Sequence, residues 1–356
     1  MYSDLEILCI HQRSSVGEAV AHMDRTRLGI VLIIDDDRRL VGVITDGDVR
    51  RALLANIDLE SSLNTILARK AGTRYAHPIT APAGADRDTY LRLLRQANCL
   101  HLPVVDDERR VVGLVTLDEF LPDRVLSLQA VIMAGGLGTR LHPLTEETPK
   151  PMLPVGDRPL MEIIIQQLRD AGIKRVNVTT HHEPEKISSH FGDGQNFGVE
   201  ITYVYEDRPL GTAGGLGLME PPRETLLVIN GDILTQMDFR AMLAYHREHG
   251  AELTIAMRQY ELQLPYGVIE CEGIAVRRLT EKPLLNFYVN AGVYLLEPAA
   301  HRYIPNGEPF DMTDLIQCLL EKRQKVISFP IREYWLDIGK LEDYEQAQKD
   351  IKSRKL

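Results

Sequence analysis

V-I-M-A-G-G-L-G-T-R, residues 131–140, is the stretch from which the rest of this chain can be read. Four apolar residues form a buried strand that runs directly into a glycine-rich turn. Such a turn lets backbone N–H groups converge on phosphate oxygens with no β-carbon in the way. The spacing is neither the G-x-G-x-x-G of a dinucleotide fold nor the G-x-x-x-x-G-K-[ST] loop of an NTPase. Ten residues further on, P-K-P at 149–151 holds Lys150 between two prolines, so that lysine has little backbone freedom to lose when it grips a polyphosphate. With Arg140 at the end of the loop, two fixed cations flank the turn.

Downstream, apolar runs alternate with amphipathic segments, the signature of an α/β sheet domain. Strands are expected at Val131–Ala134, Val176–Thr180, Ile201–Tyr205, Leu226–Ile229 and Leu253–Met257. Helices are expected at Arg158–Ala171, with Pro159 in its first turn, and at Leu341–Lys352.

Upstream lies an internal repeat. G-I-V-L-I-I-D-D-D-R-R-L-V-G at 29–42 aligns without a gap with L-H-L-P-V-V-D-D-E-R-R-V-V-G at 100–113, an offset of 71. Each copy reads as strand, charged turn, strand, preceded by a helix (Val16–Met23 and Arg87–Leu94) and followed in the first copy by another at Asp48–Ala55. Neither copy is large enough to bury a core alone, so the two are expected to pack as one domain. The pattern stops near Leu121–Gln129, where Pro122-Asp123 is a turn signal. The domains expected are thus residues 1–125, with repeats at about 1–60 and 64–125, and residues 126–356.

A formal net charge of −10 over 356 residues excludes bulk electrostatic binding of nucleic acid. No run of about 18 apolar residues predicts a membrane span, and the acidic N-terminus does not read as a signal peptide. Cys9, Cys99, Cys271 and Cys318 are far apart, which argues against zinc and disulfides; they are expected as small core residues of a cytoplasmic protein. His181 and His182 fit no common zinc spacing.

G-G-x-G-T-R…P-K-P-M resembles the signature of the sugar-1-phosphate nucleotidyltransferases, and the likeness covers about residues 129–350. Further segments follow in the family's order: Glu206 through Gly215 (E-D-R-P-L-G-T-A-G-G), Asn230-Gly231-Asp232, Tyr266-Gly267-Val268-Ile269, Glu281-Lys282-Pro283, Asn290-Ala291-Gly292, and Trp335 through Gly339 (W-L-D-I-G). The resemblance implies a Rossmann-like mixed-sheet domain that joins an NTP to a sugar-1-phosphate and releases pyrophosphate. It implies nucleotide contacts from Ala134, Gly135, Gly136, Gly138, Thr139, Glu206, Gly211, Thr212 and Ala213. Catalysis would fall to Arg140, Lys150 and Asp232, sugar-phosphate binding to Gly267, Glu281, Lys282 and Asn290, and Mg²⁺ ligation to Asp232 and Asp337. Either aspartate alone would usually be a turn residue, and it is the two together in this frame that point to a metal. The attacking phosphate oxygen is already ionised, so catalysis here means positioning and charge neutralisation, with no base required.

The loop P-L-G-T-A-G at 209–214 looks more like the guanylyltransferase branch (hexosamine, mannose or heptose sugars, in surface-glycan synthesis) than like UTP, dTTP or CTP enzymes. A non-catalytic nucleotide-sensing module is the alternative of a different class. The front repeats resemble a tandem CBS pair of α+β repeats. Its G-h-h-T-x-x-D motif implies adenine-nucleotide binding through Thr45, Asp48 and Thr116, and a homo-oligomer. Glu119 replaces the second Asp. The same T-x-x-D run is also a helix-capping pattern.

Overall fold

The computed structural model describes residues 1–353 apart from 27, 74, 98, 121–125 and 127, and the side chain of Asp118 is likewise outside the description. The turn expected at Pro122-Asp123 falls outside the described residues. The chain divides into two compact units, Met1–Arg124 and Val125–Leu356.

In the front unit the repeat is geometric as well as sequential. Strands Cys9–His11, Ile30–Ile34 and Leu40–Thr45 form one sheet, and Ala81–Pro82, His101–Val105 and Val111–Thr116 form another of the same topology. In both, the first pair is parallel, bridged by a helix (Val16–Thr26 or Arg87–Ala97), and the second is an antiparallel hairpin. The hairpin bulge falls at Ile33/Ile34 in one copy and Val104/Val105 in the other, again 71 positions apart.

The turns match in detail. Asp35 accepts from the N–H groups of Asp37 (2.9 Å) and Arg39 (2.8 Å), as Asp106 does from Glu108 (3.0 Å) and Arg110 (2.7 Å). Arg38 and Arg109 take the left-handed conformation, with φ of 62° and 64°. The turns then pair with each other: Leu40 N–H donates to the Arg109 carbonyl at 2.9 Å, and Val111 N–H to that of Arg38 at 3.2 Å. Beneath them Leu32, Leu40, Val111 and Leu114 form a core common to both copies, which is why neither stands alone. The copies diverge after the last strand, where the first continues into the helix Asp46–Leu54 and the second into the short 3-10 turn Leu117–Phe120.

The back unit is built on a seven-stranded sheet. Its spatial order is Glu200–Tyr205, Arg175–Thr180, Gln129–Met133, Leu226–Asn230, Leu284–Leu296, Leu253–Gln263, Val326–Ile331. Only Leu284–Leu296 runs antiparallel to its neighbours. Gln129–Met133 is central, and its residues alternate between two cores, with Ala130 and Ile132 in one and Val131 in the other. That double burial is why it reads as an unbroken apolar run.

The helix expected at Arg158 begins at Leu160. Pro159 caps it while Arg158–Pro159 pairs with Pro154–Val155. The strand expected to end at Met257 runs on to Gln263. The tail helix spans Leu341–Lys352 as expected. None of the four cysteines is fully buried; Cys271 is exposed on a hairpin that no layer covers, which corrects the core assignment. Among the described residues, no helix is long and apolar enough to cross a membrane.

The left-handed turns give a stability test. A β-branched residue is the least tolerant of positive φ, so Arg38→Val and Arg109→Val should each destabilise the chain by about 1–2 kcal/mol. Arg→Gly at either position should be close to neutral, because glycine adopts this conformation freely. Denaturant melts of the four variants check this.

Candidate functional site

The glycine loop leaves the carboxyl end of the central strand, and Ala134 N–H donates to the Thr179 carbonyl at 2.9 Å, fixing its root to the neighbouring strand. Gly138 has φ of 65°, and a β-carbon there would lie 3.0 Å from the Thr145 side chain and 3.3 Å from Lys150 Cβ. Only glycine serves where positive φ and close approach coincide. Thr145 then donates its hydroxyl to the Gly138 carbonyl at 2.8 Å. Gly136, Thr139 and Arg140 face solvent, Arg140 on the short 3-10 turn Thr139–Leu141.

Lys150 opens a second 3-10 turn directly after Pro149 and is buried. Its ammonium lies 2.5 Å from Asp232 Oδ2. The lysine expected to hold the nucleotide is thus paired with a carboxylate. Asp232 follows the strand Leu226–Asn230, as expected of a residue at the carboxyl end of the sheet. Asp337 does not belong to that sheet. It ends the short strand Trp335–Asp337, whose antiparallel partner Ile233–Thr235 places Ile233 opposite Asp337. Ile338 N–H also donates to the Asp232 carbonyl at 3.0 Å. This small ladder is what joins two aspartates distant in sequence.

The Asp337 segment is held from several sides. The Trp335 indole donates to the Ala291 carbonyl at 2.9 Å, and Thr235 Oγ1 to the Tyr334 carbonyl at 2.9 Å. Arg258 Nη1 gathers the carbonyls of Ile331, Arg332 and Glu333 at 3.2–3.3 Å. Burial, followed by the charge of Asp232, pushes the Asp337 carboxyl up to about 6 against the opposing pull of Lys150 and Arg140. Asp343 adds a third negative charge, while its Oδ2 accepts from Lys340 N–H at 3.0 Å. Sequence reasoning missed Asp343; the only available signal was its capping position three residues after Lys340. Oδ1 of Asp232 and Oδ1 of Asp337 are both buried without a hydrogen-bond partner among the described residues.

The segment after Glu206 is organised inward. Glu206 is 8% exposed and accepts from Leu210 N–H at 3.1 Å. A β-carbon at Gly215 would lie 2.6 Å from its Oε1 and one at Gly135 3.1 Å, so both glycines make room for this carboxylate. Thr212 gives its N–H (2.8 Å) and hydroxyl (3.1 Å) to Asp311, and the hydroxyl oxygen accepts from Met312 N–H at 2.8 Å. Ala213 is buried, with its N–H on the Phe310 carbonyl. Glu206, Thr212 and Ala213, expected at the nucleotide, also shape this loop, and Gly211 with φ of 77° begins its single helical turn.

Of the residues expected at the sugar phosphate, Asn290 lies in the strand Leu284–Leu296, accepts from Gly292 N–H at 3.1 Å and hydrogen-bonds Tyr294, which senses the charge of Asp232. Gly267 packs closely on Glu281, where a β-carbon would meet Oε2 at 3.0 Å. Glu281 and Lys282 are exposed on a two-stranded ribbon, and no ion pair or hydrogen bond joins them to Asp232 or Asp337 among the described residues.

In the front unit, Asp48 is buried and fully engaged. Oδ2 accepts from Thr45 N–H (3.0 Å), Thr45 Oγ1 (3.1 Å) and Lys70 Nζ (2.7 Å), and Oδ1 from Arg51 (2.8 Å). Thr45 caps the helix Asp46–Leu54 in a reciprocal box. Burial pushes the Asp48 carboxyl up, but the Lys70 charge and these hydrogen bonds outweigh it and hold the group below its ordinary range. Glu119 repeats the arrangement, accepting from Thr116 N–H at 3.1 Å and pairing with the N-terminal amine. The capping interpretation of T-x-x-D therefore describes the first copy, and a ribose-binding Asp48 would first have to leave its cations. No group of three or more His, Cys, Asp or Glu is arranged to hold a metal among the described residues.

Glu206 gives a pH test. Burial raises its carboxyl above 4.5 in the folded chain, so ionising it costs stability as pH rises past that value. Glu206→Gln keeps an oxygen for Leu210 N–H and removes the buried charge. Its stability relative to the parent should grow between about pH 4 and pH 7; a pH-independent difference in denaturant melts would contradict the assignment.

With this geometry in view, comparison with known proteins is direct. Residues 129–354 match the family model for nucleotidyl transferases, and residues 3–55 and 75–122 match that for CBS domains. The chain is 35% identical over 250 residues to a UTP–glucose-1-phosphate uridylyltransferase of Synechocystis, covering 64% of each chain. It is 32% identical over 232 residues to a mannose-1-phosphate guanylyltransferase of Mycobacterium tuberculosis, covering 63% of this chain and 64% of that one. The chain thus spans a little under two thirds of the length of these relatives. Among solved structures, a putative glucose-1-phosphate thymidylyltransferase from Bacillus anthracis superposes with a TM-score of 0.52 at 27% identity, over 62% of this chain and 94% of that one. The chain belongs to the nucleotidyl transferase family, with two CBS domains ahead of the transferase domain.

Proposed function

We propose that the back unit transfers a nucleoside monophosphate from an NTP to a sugar-1-phosphate, forming a nucleotide-diphosphate sugar and pyrophosphate. The observation that carries this reading is the meeting of the glycine loop, Lys150, Asp232 and Asp337 at the carboxyl end of the sheet. Ligands of open α/β sheets bind in that place. GTP is the favoured donor, because the loop at 209–214 resembles that of the guanylyltransferase branch and the Mycobacterium tuberculosis relative is named as a mannose-1-phosphate guanylyltransferase. Hexosamine, mannose and heptose phosphates are the candidate acceptors, for surface-glycan synthesis in the cytoplasm. UTP is the first competing donor, on the name of the Synechocystis relative.

In this mechanism the glycine loop cradles the donor phosphates with backbone amides. Arg140 neutralises the departing pyrophosphate from the solvent side. Lys150 holds Asp232 and offers its remaining ammonium protons to the α-phosphate. Asn290 orients the acceptor beside the carboxylates, and Gly267, Glu281 and Lys282 reach the sugar phosphate from the ribbon. The two orphaned buried oxygens, Asp232 Oδ1 and Asp337 Oδ1, are hard anionic donors of the kind Mg²⁺ takes. Bound there, the ion would neutralise phosphate charge as the two anions approach. The presence together of Arg140, Lys150, Asp232 and Asp337 favours catalysis over a purely sensory role.

At the front unit, an adenine nucleotide is proposed as a regulatory ligand in a homo-oligomer. Thr45 and Thr116 supply hydroxyls, and Asp48, on turning to ribose, would release Lys70 and Arg51 to the phosphates.

Asp232→Asn and Asp337→Asn should each lower turnover by about 10²–10³-fold with the fold retained. A pyrophosphate-release assay over the four NTPs and a panel of sugar-1-phosphates, with circular dichroism alongside, checks both the roles and the donor. Near-parental rates in either variant would remove that residue from the mechanism.

Calorimetric titration with AMP, ADP and ATP should give heat with the parent chain and none with Asp48→Ala. Silence in the parent, or equal binding in the variant, would make the front unit a structural module.

A further inference from the structure

We propose, on the transferase reading of the back unit, that the loop 181–186 is a clamp at the nucleotide side of the crevice, in which Glu183 and Lys186 position Lys150. The loop leaves the carboxyl end of the strand Arg175–Thr180, which pairs with the central strand on one side and with Glu200–Tyr205 on the other. It bonds to both segments expected to hold the nucleotide. On one wall, Glu206 N–H donates to the Thr180 carbonyl at 2.8 Å, and His181 Nδ1 donates to the Glu206 carbonyl at 2.8 Å. On the other, Lys186 Nζ donates to the Glu147 carbonyl.

The Glu147 contact falls within a short span that is tied at both ends. Thr145 gives its hydroxyl to the Gly138 carbonyl at 2.8 Å, and Lys150 lies 2.5 Å from Asp232. Lys186 fastens the backbone between those ties, three residues before Lys150. The helix that carries it, Pro184–Phe191, is itself well anchored, because Ile187 and Phe191 are buried in the main core of the back unit. A fixed helix thus holds the approach to Lys150 from outside, while Asp232 holds its ammonium from inside.

The start of that helix departs from helix-capping rules in four ways. An N-cap residue ordinarily has extended backbone and a side-chain oxygen that accepts from the first turn. Glu183 stands there in the left-handed conformation, with φ of 47° and ψ of 50°, and makes no cap hydrogen bond. Its Oε1 lies 2.9 Å from Lys186 Nζ, and its Oε2 is buried without a hydrogen-bond partner among the described residues. Three residues on, where a capping box places Glu or Gln, stands Lys186. A cation in the first turn opposes the helix dipole. The left-handed glutamate, the missing cap, the orphaned oxygen and the misplaced lysine each weaken the helix locally. Such strain is held where the surrounding structure over-determines it, and it gathers at active sites. Here it has one product: the Glu183 carboxylate aims the Lys186 ammonium at the Glu147 carbonyl. Both side chains act through Lys150 and are positioning residues.

In the full chain, Lys186→Met should lower turnover by about 10–10²-fold, the scale of a small misplacement at a reacting centre. It should also raise KM for the NTP and leave KM for the sugar-1-phosphate at the parental value. Lys186→Arg still donates to the carbonyl and should recover most of the loss. Glu183→Gly separates positioning from stability. Glycine takes positive φ freely, so this variant should melt at or above the parental temperature, yet lose turnover because Lys186 is no longer aimed. Amide hydrogen exchange at 144–150, measured without ligand, should quicken in both Lys186→Met and Glu183→Gly. Parental turnover in Lys186→Met, or a loss in Glu183→Gly matched by a lower melting temperature, would overturn the clamp and leave the transferase reading standing. A parent chain inactive on every NTP and sugar-1-phosphate would sink that reading, and the clamp with it.

Discussion

One buried ammonium group, that of Lys150, acts on two aspartates distant in sequence. Lys150 contacts Asp232 at 2.5 Å with 11% and 20% of the two side chains exposed, and its charge also reaches Asp337. Removing one member of such a pair leaves the other as an unpaired, largely buried charge, at a cost on the order of 3–5 kcal/mol. Much of the back unit serves to hold this arrangement. Gly138 brings the glycine loop against Lys150, the Ile233–Asp337 pairing aligns the aspartates, and the indole of Trp335 anchors their strand to Ala291. Two negative groups drawn together by backbone geometry and partly neutralised by one lysine leave a net demand for positive charge. That demand suits a site whose business is bringing phosphates together.

Around this centre Glu206 and Thr212 spend their side chains on neighbouring loops. Glu206 ties the Gly135 and Gly215 turns from behind, and Thr212 locks its turn to Asp311. The consequence is that these loops are held in one shape by their own side chains, and a loop so held has little ordering entropy left to lose on binding. The same logic governs the front unit, where Asp48 and Glu119 spend their oxygens on capping and on cations. There any ligand of Asp48 would compete with internal ion pairs, and a ligand shifts a conformation only by as much as it favours one state over another.

The duplicated front unit shows how far covalent repetition carries into geometry. Bulge, left-handed arginine and aspartate-capped turn all recur at the offset of 71 that the sequence displays. Where the sequences part company the structures do too. D-G-D-V-R-R-A-L-L continues into a helix, whereas L-D-E-F forms a single 3-10 turn. The reciprocal bonds between the Arg38 and Arg109 turns then make the two copies one folding unit.

What the sequence by itself determined was the local and the periodic. The apolar run at 131–134, the alternation that followed it, the tail helix at 341–352 and the repeat could all be read, because hydrophobic period and glycine placement act over a few residues. The family could likewise be read, since the glycine loop and the segments after it follow a recognisable order. What only the tertiary structure decided was direction and company. Lys150 pairs with Asp232, Glu206 and Thr212 bond to neighbouring loops, Asp337 arrives on a separate ladder, and Asp343 joins a cluster that no spacing announced. Cys271 lies exposed on an uncovered arm because burial depends on what packs against a strand, not on the residue alone. A side chain's partner is fixed by contacts between residues a hundred positions apart, and those contacts exist only once the sheet has closed.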